Sequence, residues 1–568
     1  MKGIVASEGL AVGRIFRVEE AQVVKPFFTT EEHELTRLRN AALLSIDQLT
    51  QIRNHVMDHL GKEEALVFSA HIEILKDPVM MEEICQLIRK DVVAEEAVDE
   101  IIRNYVELFL SMEDEYMRLR SSDIRDVGKR MLNNLQNFGK NLFSGMEPNS
   151  IVVAHDLSPS ETAQLPLDKT VGFITEIGGR TSHTSIFARN LGIPALVGVN
   201  GAMKLPNNTL MFLNAIEGEV VRILPGELDF YLTRIREHEK KNRELEDTKF
   251  LPAVTTDNHR VEVAANIGSP REAEIAVRSG AEGVGLFRTE FLFMERTGFP
   301  DEAEQFEVYS EVARSMGERP VIVRLLDIGV DKRLSYYKMP DEMNPLLGKR
   351  AMRLLLEHHE ILETQLKAIL RTSLTGNVKV MLPMIATVEE IRAARNIIDG
   401  IIAEMKNEGA AEELQIEIGI TVEVPSVAIS PDLFVDEVDF FSIGSNDLIQ
   451  YTFAADRMNQ DVSYLYQPCH PSILRMVKNV IDIAHDKGKW AGVCGEMAGD
   501  PVTAPLLLGM GLDEFSMSIA SIPRIKYLIR HLSLKECREL VEESFRLKTH
   551  AEVDALVRNF LQQKKIAL

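Results

Sequence analysis

The chain has 568 residues, room for several domains and for cores that need no disulfide scaffold. Its 87 acidic and 64 basic side chains leave a net charge of −23, which repels nucleic acid and anionic lipid and favours basic partners. The four cysteines (Cys85, Cys469, Cys494 and Cys537) form no Cys-x-x-Cys pair, no apolar run approaches the ~20 residues of a membrane span, and Met1–Glu8 lacks a signal-peptide core. These features lead to the expectation of a reduced, cytoplasmic protein without structural zinc or membrane insertion.

In chain order, residues 1–20 read as short strands around Gly3–Ala6 and Ala11–Arg17. Residues 31–130 then contain only one proline (Pro78) and two glycines (Gly61, Gly128). Leu35, Leu38, Ala42, Ile46, Leu49, Ile52, Val56 and Leu60 recur in steps of three and four, the period of one long amphipathic helix. Further helical runs are predicted around 63–76, 79–90, 94–118 and 121–136. This bundle carries 22 acidic and 13 basic residues, a net of −9. Strand texture returns over 149–225, with buried-type runs at Ile151–Ala154, Val171–Thr175 and Ala195–Val199. The simplest assembly is one α/β domain from 1–20 and 145–227, with residues 21–144 inserted as a helical domain. The polar stretch 228–252 reads as a solvated linker helix. Over 253–568, apolar strand candidates begin near Val261, Gly283, Val321, Val378, Ile416, Val438, Trp490 and Leu512, with helical patterns in most gaps. Eight strand–helix units predict a (β/α)8 barrel, so the fold class is α/β multidomain.

Catalysis in such a barrel lies at the carboxyl ends of the strands. Those ends carry Arg288, Arg324, Glu423, Asn446, Asp447 and Cys494, with Arg457 shortly beyond the sixth. Two carboxylates, Glu423 and Asp447, on neighbouring strands suit Mg²⁺ held largely through a substrate phosphate. Arginines offer planar donors to phosphate and carboxylate. The set fits a small, strongly anionic, phosphorylated carboxylate. Taken singly, each has a plainer reading: a strand-end arginine often makes a structural ion pair, and a lone cysteine is usually an inert small hydrophobe. It is their recurrence at successive strand ends that points to a site. A second constellation is Gly178-Gly179-Arg180-Thr181-Ser182-His183-Thr184-Ser185-Ile186. A Gly-Gly turn followed by a helix puts His183 among hydroxyls at a helix N-terminus, where free amides favour an anion. A neutral imidazole there is a nucleophile for phosphorus, although a capping or packing histidine has the same address.

Together these segments resemble the Enzyme I family of the sugar phosphotransferase system, the phosphoenolpyruvate–protein phosphotransferases. The likeness covers essentially the whole chain. It is carried by Gly178–Ile186, by the companion segment Asp156–Ala163, and by the barrel motifs Gly283–Phe293, Phe441–Tyr451 and Cys494–Gly499. The resemblance implies that Mg²⁺, held by Glu423 and Asp447, and phosphoenolpyruvate bind on the barrel. It implies that Arg288, Arg324, Asn446, Asp447 and Arg457 bind substrate, and that His183 attacks phosphorus through Nε2 with Thr162 as partner of its ring. It implies that Cys494 protonates the enolate carbon to give pyruvate. It implies that the phosphoryl group then passes to a histidine of an HPr-like phosphocarrier protein docked on the helical insert, and that the protein is a homodimer through its barrel. Two positions depart from the family pattern: Val330 stands where a second glycine is usual, and Lys349 where an aromatic is common. Nucleotide-dependent relatives such as pyruvate phosphate dikinase share the histidine domain and barrel but need a large nucleotide-grasp domain, for which the ~150 residues before the Asp156–Ala163 segment leave no room. A phosphoprotein scaffold without turnover is disfavoured by the complete set of site residues.

Overall fold

The structure is a computed structural model. It describes residues 1–566 except 19–25, 60–61, 113–114, 137–141, 180–182, 295, 330–333, 335, 338–341, 410–413, 458 and 460. The chain forms two compact units, Met1–Lys241 and Asn242–Leu568. No helix among the described residues is long and apolar enough to cross a membrane.

The first unit holds a seven-stranded sheet in the order β1-β5-β4-β3-β2-β6-β7. Its strands are β1 (Ile4–Ser7), β2 (Leu10–Arg17), β3 (Ser150–Ala154), β4 (Thr170–Thr175), β5 (Ala195–Val197), β6 (Leu210–Asn214) and β7 (Glu219–Arg222). Strand β2 pairs in parallel with β3, Ile15 opposite Ile151, and antiparallel with β6. The first 17 residues are thus stitched into a sheet whose other strands lie beyond the helical segment. Strand β3 is buried on both faces: Val152 and Ala154 join one apolar cluster, Ile151 and Val153 another. A run buried on both sides reads as continuous apolar sequence, which explains its appearance in the amino-acid pattern.

Between β2 and β3 lie helices α1 (Glu31–His59), α2 (Lys62–Leu75), α3 (Pro78–Ile88), α4 (Ala94–Leu110) and α5 (Glu115–Leu135). Leu38, Leu49 and Val56 from the heptad-like stripe of α1 meet Phe68, Ile84, Val98 and Met131 in one core. Asp77 caps α3 by accepting from the amides of Val79 and Met80, with Pro78 in the first turn where no amide is needed. The predicted helix 94–118 is shorter. It stops at Leu110 because the Ser111 hydroxyl donates back to the Leu108 carbonyl, a local bond that competes with the helix. The last helical segment therefore begins at Glu115 instead of 121. The polar stretch is helix α8 (Leu228–Thr248), and none of its residues is buried.

The second unit is a closed barrel of eight parallel strands: β8 (Glu262–Ile267), β9 (Val284–Arg288), β10 (Val321–Arg324), β11 (Val378–Leu382), β12 (Ile418–Val422), β13 (Phe440–Ile443), β14 (Trp490–Val493) and β15 (Glu514–Met517). The predicted starts near Val261, Ile416, Val438 and Leu512 fall one or two residues early. Val261, Val438 and Leu512 are buried before ladder pairing begins, so the apolar run is longer than the strand. Inside the barrel Phe440 stacks on Trp490 with centroids 4.4 Å apart. Gly419 permits this, since a Cβ there would lie 2.3 Å from the Phe440 ring.

Candidate active site

The carboxyl ends of the barrel strands surround a cavity of about 670 Å³. Arg288, Arg324, Glu423, Asn446, Asp447, Arg457 and Cys494 all line it. Arg288 and Arg324 end β9 and β10, and Glu423 and Cys494 directly follow β12 and β14. Asn446 and Asp447 open the helix Ser445–Phe453 after β13. The barrel thus gathers into one cavity residues that are 206 positions apart in sequence at the extremes, Arg288 to Cys494.

The arginines divide into two kinds. Arg324 is buried and pairs with Glu290 and, at 3.3 Å, with Asp327. Asp327 in turn accepts a two-pronged contact from buried Arg350 at 2.9–3.0 Å. Burial works against charge on both guanidiniums. The carboxylates around them, Glu290 and Asp327 for Arg324 and Asp327 for Arg350, outweigh it and hold both well above the ordinary value. Arg288 and Arg457 are exposed, and no carboxylate of the described residues lies within ion-pair distance of either.

Glu423 is buried, and its Oε1 accepts from the Met384 amide at 2.5 Å. Met384 has a φ of +56°, a strained setting for a side chain that turns its N–H onto this carboxylate. Burial, then the neighbouring Asp447 and Asp327, push Glu423 up to about 8. A carboxylate crowded in this way is relieved by a cation. The oxygen-only pair Glu423 and Asp447 fits a hard divalent ion, although among the described residues no three His, Cys, Asp or Glu side chains could hold a metal by themselves. Such a pair supplies part of a coordination shell and leaves the rest to substrate oxygens and water.

Cys494 is buried, its Sγ 3.8 Å from the Ile443 carbonyl. Burial pushes the thiol up to about 11, against the pull of the nearby Ser442 hydroxyl and of Arg324 and Arg288. At neutral pH it is a protonated acid facing the cavity. The amide of Asn446 is pinned: its Oδ1 accepts from the Glu496 backbone N–H at 3.0 Å and from the Tyr466 hydroxyl at 2.9 Å. Of the two residues that depart from the family pattern, Val330 lies outside the described residues. Lys349 pairs with Glu357 and does not line the cavity.

In the first unit, His183 is the first residue of helix α7 (His183–Leu191), after a turn in which Gly178 has φ +118°. Its side chain, with Arg180, Thr181 and Ser182, lies outside the described residues. The surrounding frame is described. Helix α6 (Pro159–Thr162) is held by a capping box between Ser158 and Glu161. Thr184 donates to the Leu157 carbonyl at 2.7 Å, tying α7 to the α6 segment. Thr162 is buried, and its hydroxyl donates to the Ser158 carbonyl at 2.9 Å. That bond uses its one hydrogen, so toward any further group Thr162 is an acceptor.

Sequence reasoning did not single out Glu290, Asp327 or Arg350 as site residues, nor Tyr466. It also missed a buried cluster on the helical segment: His71 lies 3.3 Å from Asp123 and 3.7 Å from Asp126. Asp126 accepts from the Ser160 hydroxyl at 2.7 Å and so joins α5 to α6.

Comparison with known proteins gives a consistent picture. The family described as PEP-utilising enzyme, PEP-binding domain, matches residues 242–534. The PEP-utilising enzyme N-terminal and mobile domains match residues 2–120 and 146–218. Proteins named phosphoenolpyruvate-protein phosphotransferase are similar over full length. One from Haemophilus influenzae is 44% identical over all of both chains. Those from Priestia megaterium and Bacillus subtilis are each 45% identical, over 98% of this chain and 98% and 99% of theirs.

Proposed function

Since the chain belongs to the phosphoenolpyruvate-protein phosphotransferase family of PEP-utilising enzymes, we propose that it carries out that transfer with His183 as phosphoryl acceptor and the barrel cavity as phosphoenolpyruvate site. The observation that carries this reading is the convergence of two exposed arginines, a crowded carboxylate pair and a protonated thiol on one 670 Å³ cavity.

Phosphoryl transfer is catalysed mainly by positioning and by stabilising charge. Arg288 and Arg457 attract the anion, while Arg324 is held rigid by Glu290 and Asp327 to orient it. Glu423 and Asp447 would hold a divalent cation, Mg²⁺ in this reading, whose charge would offset that of the phosphoryl oxygens. Thr162 can only accept, so a His183 nitrogen bonded to it would have to carry hydrogen. In this reading that nitrogen is Nδ1, and Nε2 keeps the lone pair that attacks phosphorus. The P–O bond to the enolate breaks as the P–N bond forms. Cys494 then gives its proton to the enolate carbon, pyruvate leaves, and the thiolate is reprotonated from solvent. Because His183 and the cavity belong to different units, turnover requires the units to meet and part.

The second half of the reaction delivers the phosphoryl group to a histidine of an HPr-like carrier. The acidic helical segment 31–130, net −9, is the surface we assign to that basic partner. The domain limits 1–20 with 145–227, 21–144, 228–252 and 253–568 belong to the same reading, as do a homodimer through the barrel and a cytoplasmic location. The test is phosphopeptide mapping after incubation with labelled phosphoenolpyruvate and Mg²⁺. Label is expected on the peptide containing His183 and absent from His183→Ala, whose barrel should still bind substrate. Normal labelling of His183→Ala overturns the assignment.

A further inference from the structure

We infer that Tyr466 is a positioning residue for phosphoenolpyruvate binding: its hydroxyl locks the amide of Asn446 so that a donor, and not a carbonyl oxygen, is presented to the anion. This rests on the reading of Asn446 as a substrate-binding residue. Three contacts carry it. The Glu496 backbone N–H lies 3.0 Å from Asn446 Oδ1. A backbone amide can only donate, so the atom it faces is oxygen, which settles the orientation of the side chain. The Tyr466 hydroxyl lies 2.9 Å from the same oxygen and donates to it. Asn446 Nδ2 reaches Glu496 Oε1 at 3.3 Å with one of its two hydrogens. Oδ1 therefore has both lone pairs taken, and Nδ2 keeps a second hydrogen for the cavity that Asn446 lines.

Without the tyrosine hydroxyl, one of the two donors to Oδ1 is gone and only the Glu496 contacts oppose a turn of the amide. The flipped rotamer would aim a carbonyl oxygen at a multiply charged anion, which costs binding. Tyr466 is well suited to hold this position. Burial, with Glu496 nearby, pushes its phenol well above the usual range, so it keeps its proton throughout the working pH range. It follows the short helical turn Ser463–Leu465 in the segment that also carries Arg457, whereas Asn446 and Glu496 follow different strands. Asn446 thus joins the elements after β13 and β14, and the Tyr466 hydroxyl ties to it the segment that brings Arg457. Tyr466 itself does not line the cavity, so it acts on substrate through Asn446.

The test is a double-mutant cycle in the full-length enzyme, read by steady-state pyruvate release with phosphoenolpyruvate, Mg²⁺ and an HPr-like acceptor. Tyr466→Phe is expected to raise KM for phosphoenolpyruvate roughly tenfold with kcat little changed, as for loss of a binding contact. Asn446→Ala is expected to raise KM at least as much, and adding Tyr466→Phe to it should change nothing further. Additive effects of the two substitutions overturn the inference while leaving Asn446 as a binding residue. An unchanged KM in Asn446→Ala instead overturns the reading of Asn446 on which the inference stands. An independent measurement uses the unaltered enzyme. NMR of the Asn446 side-chain amide, assigned by its loss in Asn446→Ala, should show one hydrogen protected from exchange with water, and less protection in Tyr466→Phe. Exchange as fast as in a free amide, or protection unchanged in Tyr466→Phe, overturns the lock.

Discussion

Replacing Cys494 by serine tests the chemistry of proton delivery. Burial holds the thiol at about 11, roughly 3.5 units above pH 7.5, so only about one molecule in three thousand carries a thiolate there. The acid is present in its competent form. Serine nearly preserves size but replaces the thiol by a hydroxyl, a far weaker acid. General acid catalysis contributes about 10²–10⁴, and pyruvate formation in Cys494→Ser should fall by that order. Coupled lactate dehydrogenase measures pyruvate release, and proton exchange at the pyruvate methyl should fall in parallel. Phosphate exchange between His183 and an HPr-like protein should be untouched, because no carbon is protonated in that step. The sign of the pH effect follows from the raised value. The protonated thiol is favoured by the fold below its unfolded pKa near 9, and this contribution is lost as pH rises through about 11. Wild type should therefore lose up to about 3 kcal/mol of stability across that alkaline window, from two units at 1.36 kcal/mol each. Cys494→Ser should not share this loss. A serine variant that makes pyruvate within a few-fold of wild type would return Cys494 to a packing role and sink the argument.

Two further outcomes follow from the cation site and the acidic helices. Excess chelator, or Glu423→Ala with Asp447→Ala, should abolish pyruvate formation while leaving phosphate exchange with the carrier intact, as measured by label transfer from the phosphorylated carrier; full turnover under either condition refutes the metal assignment. Raising ionic strength should slow carrier association, measured by stopped-flow, because the −9 of residues 31–130 is screened beyond ~10 Å at 0.1 M salt, and an isolated barrel that binds the carrier equally well refutes docking on the helices.

The amino-acid pattern discloses the barrel because each strand is an apolar run followed by helical spacing, and it discloses the strand-end residues because the fold fixes where such ends must converge. It conceals whatever depends on the choice of partner. Arg324 and Arg288 look alike in sequence, each a strand-end arginine. Only the fold brings Glu290 and Asp327 onto the first and leaves the second exposed. Arg350 follows Asp327 by 23 residues, in a stretch without strand periodicity, so nothing local announces the pair. His71 sits in a helical pattern like any polar residue until Asp123 and Asp126 arrive from another helix. Tyr466 belongs to a loop rich in aromatics, and its significance lies in which oxygen its hydroxyl meets. The thiol likewise has neighbours that pull in opposite directions, and burial decides between them.

The two classes of arginine make the sharpest separable forecast. Arg324 is buried beside Glu290 and Asp327. Arg324→Met would remove the guanidinium that pairs with buried Glu290, and breaking such a pair costs about 3–5 kcal/mol. Its urea midpoint should drop accordingly, and phosphoenolpyruvate binding should fail with it. Arg457 is exposed and unpaired by any described carboxylate, so Arg457→Met should keep stability within about 0.5 kcal/mol. What it should lose is attraction. KM for phosphoenolpyruvate should rise, and the increase of KM with salt expected for wild type should flatten, because the charge that salt screens has gone. Equal losses of urea stability in the two variants, or an unchanged salt dependence in Arg457→Met, would show that rigid orientation and long-range attraction are not divided between these arginines as their burial and pairing require.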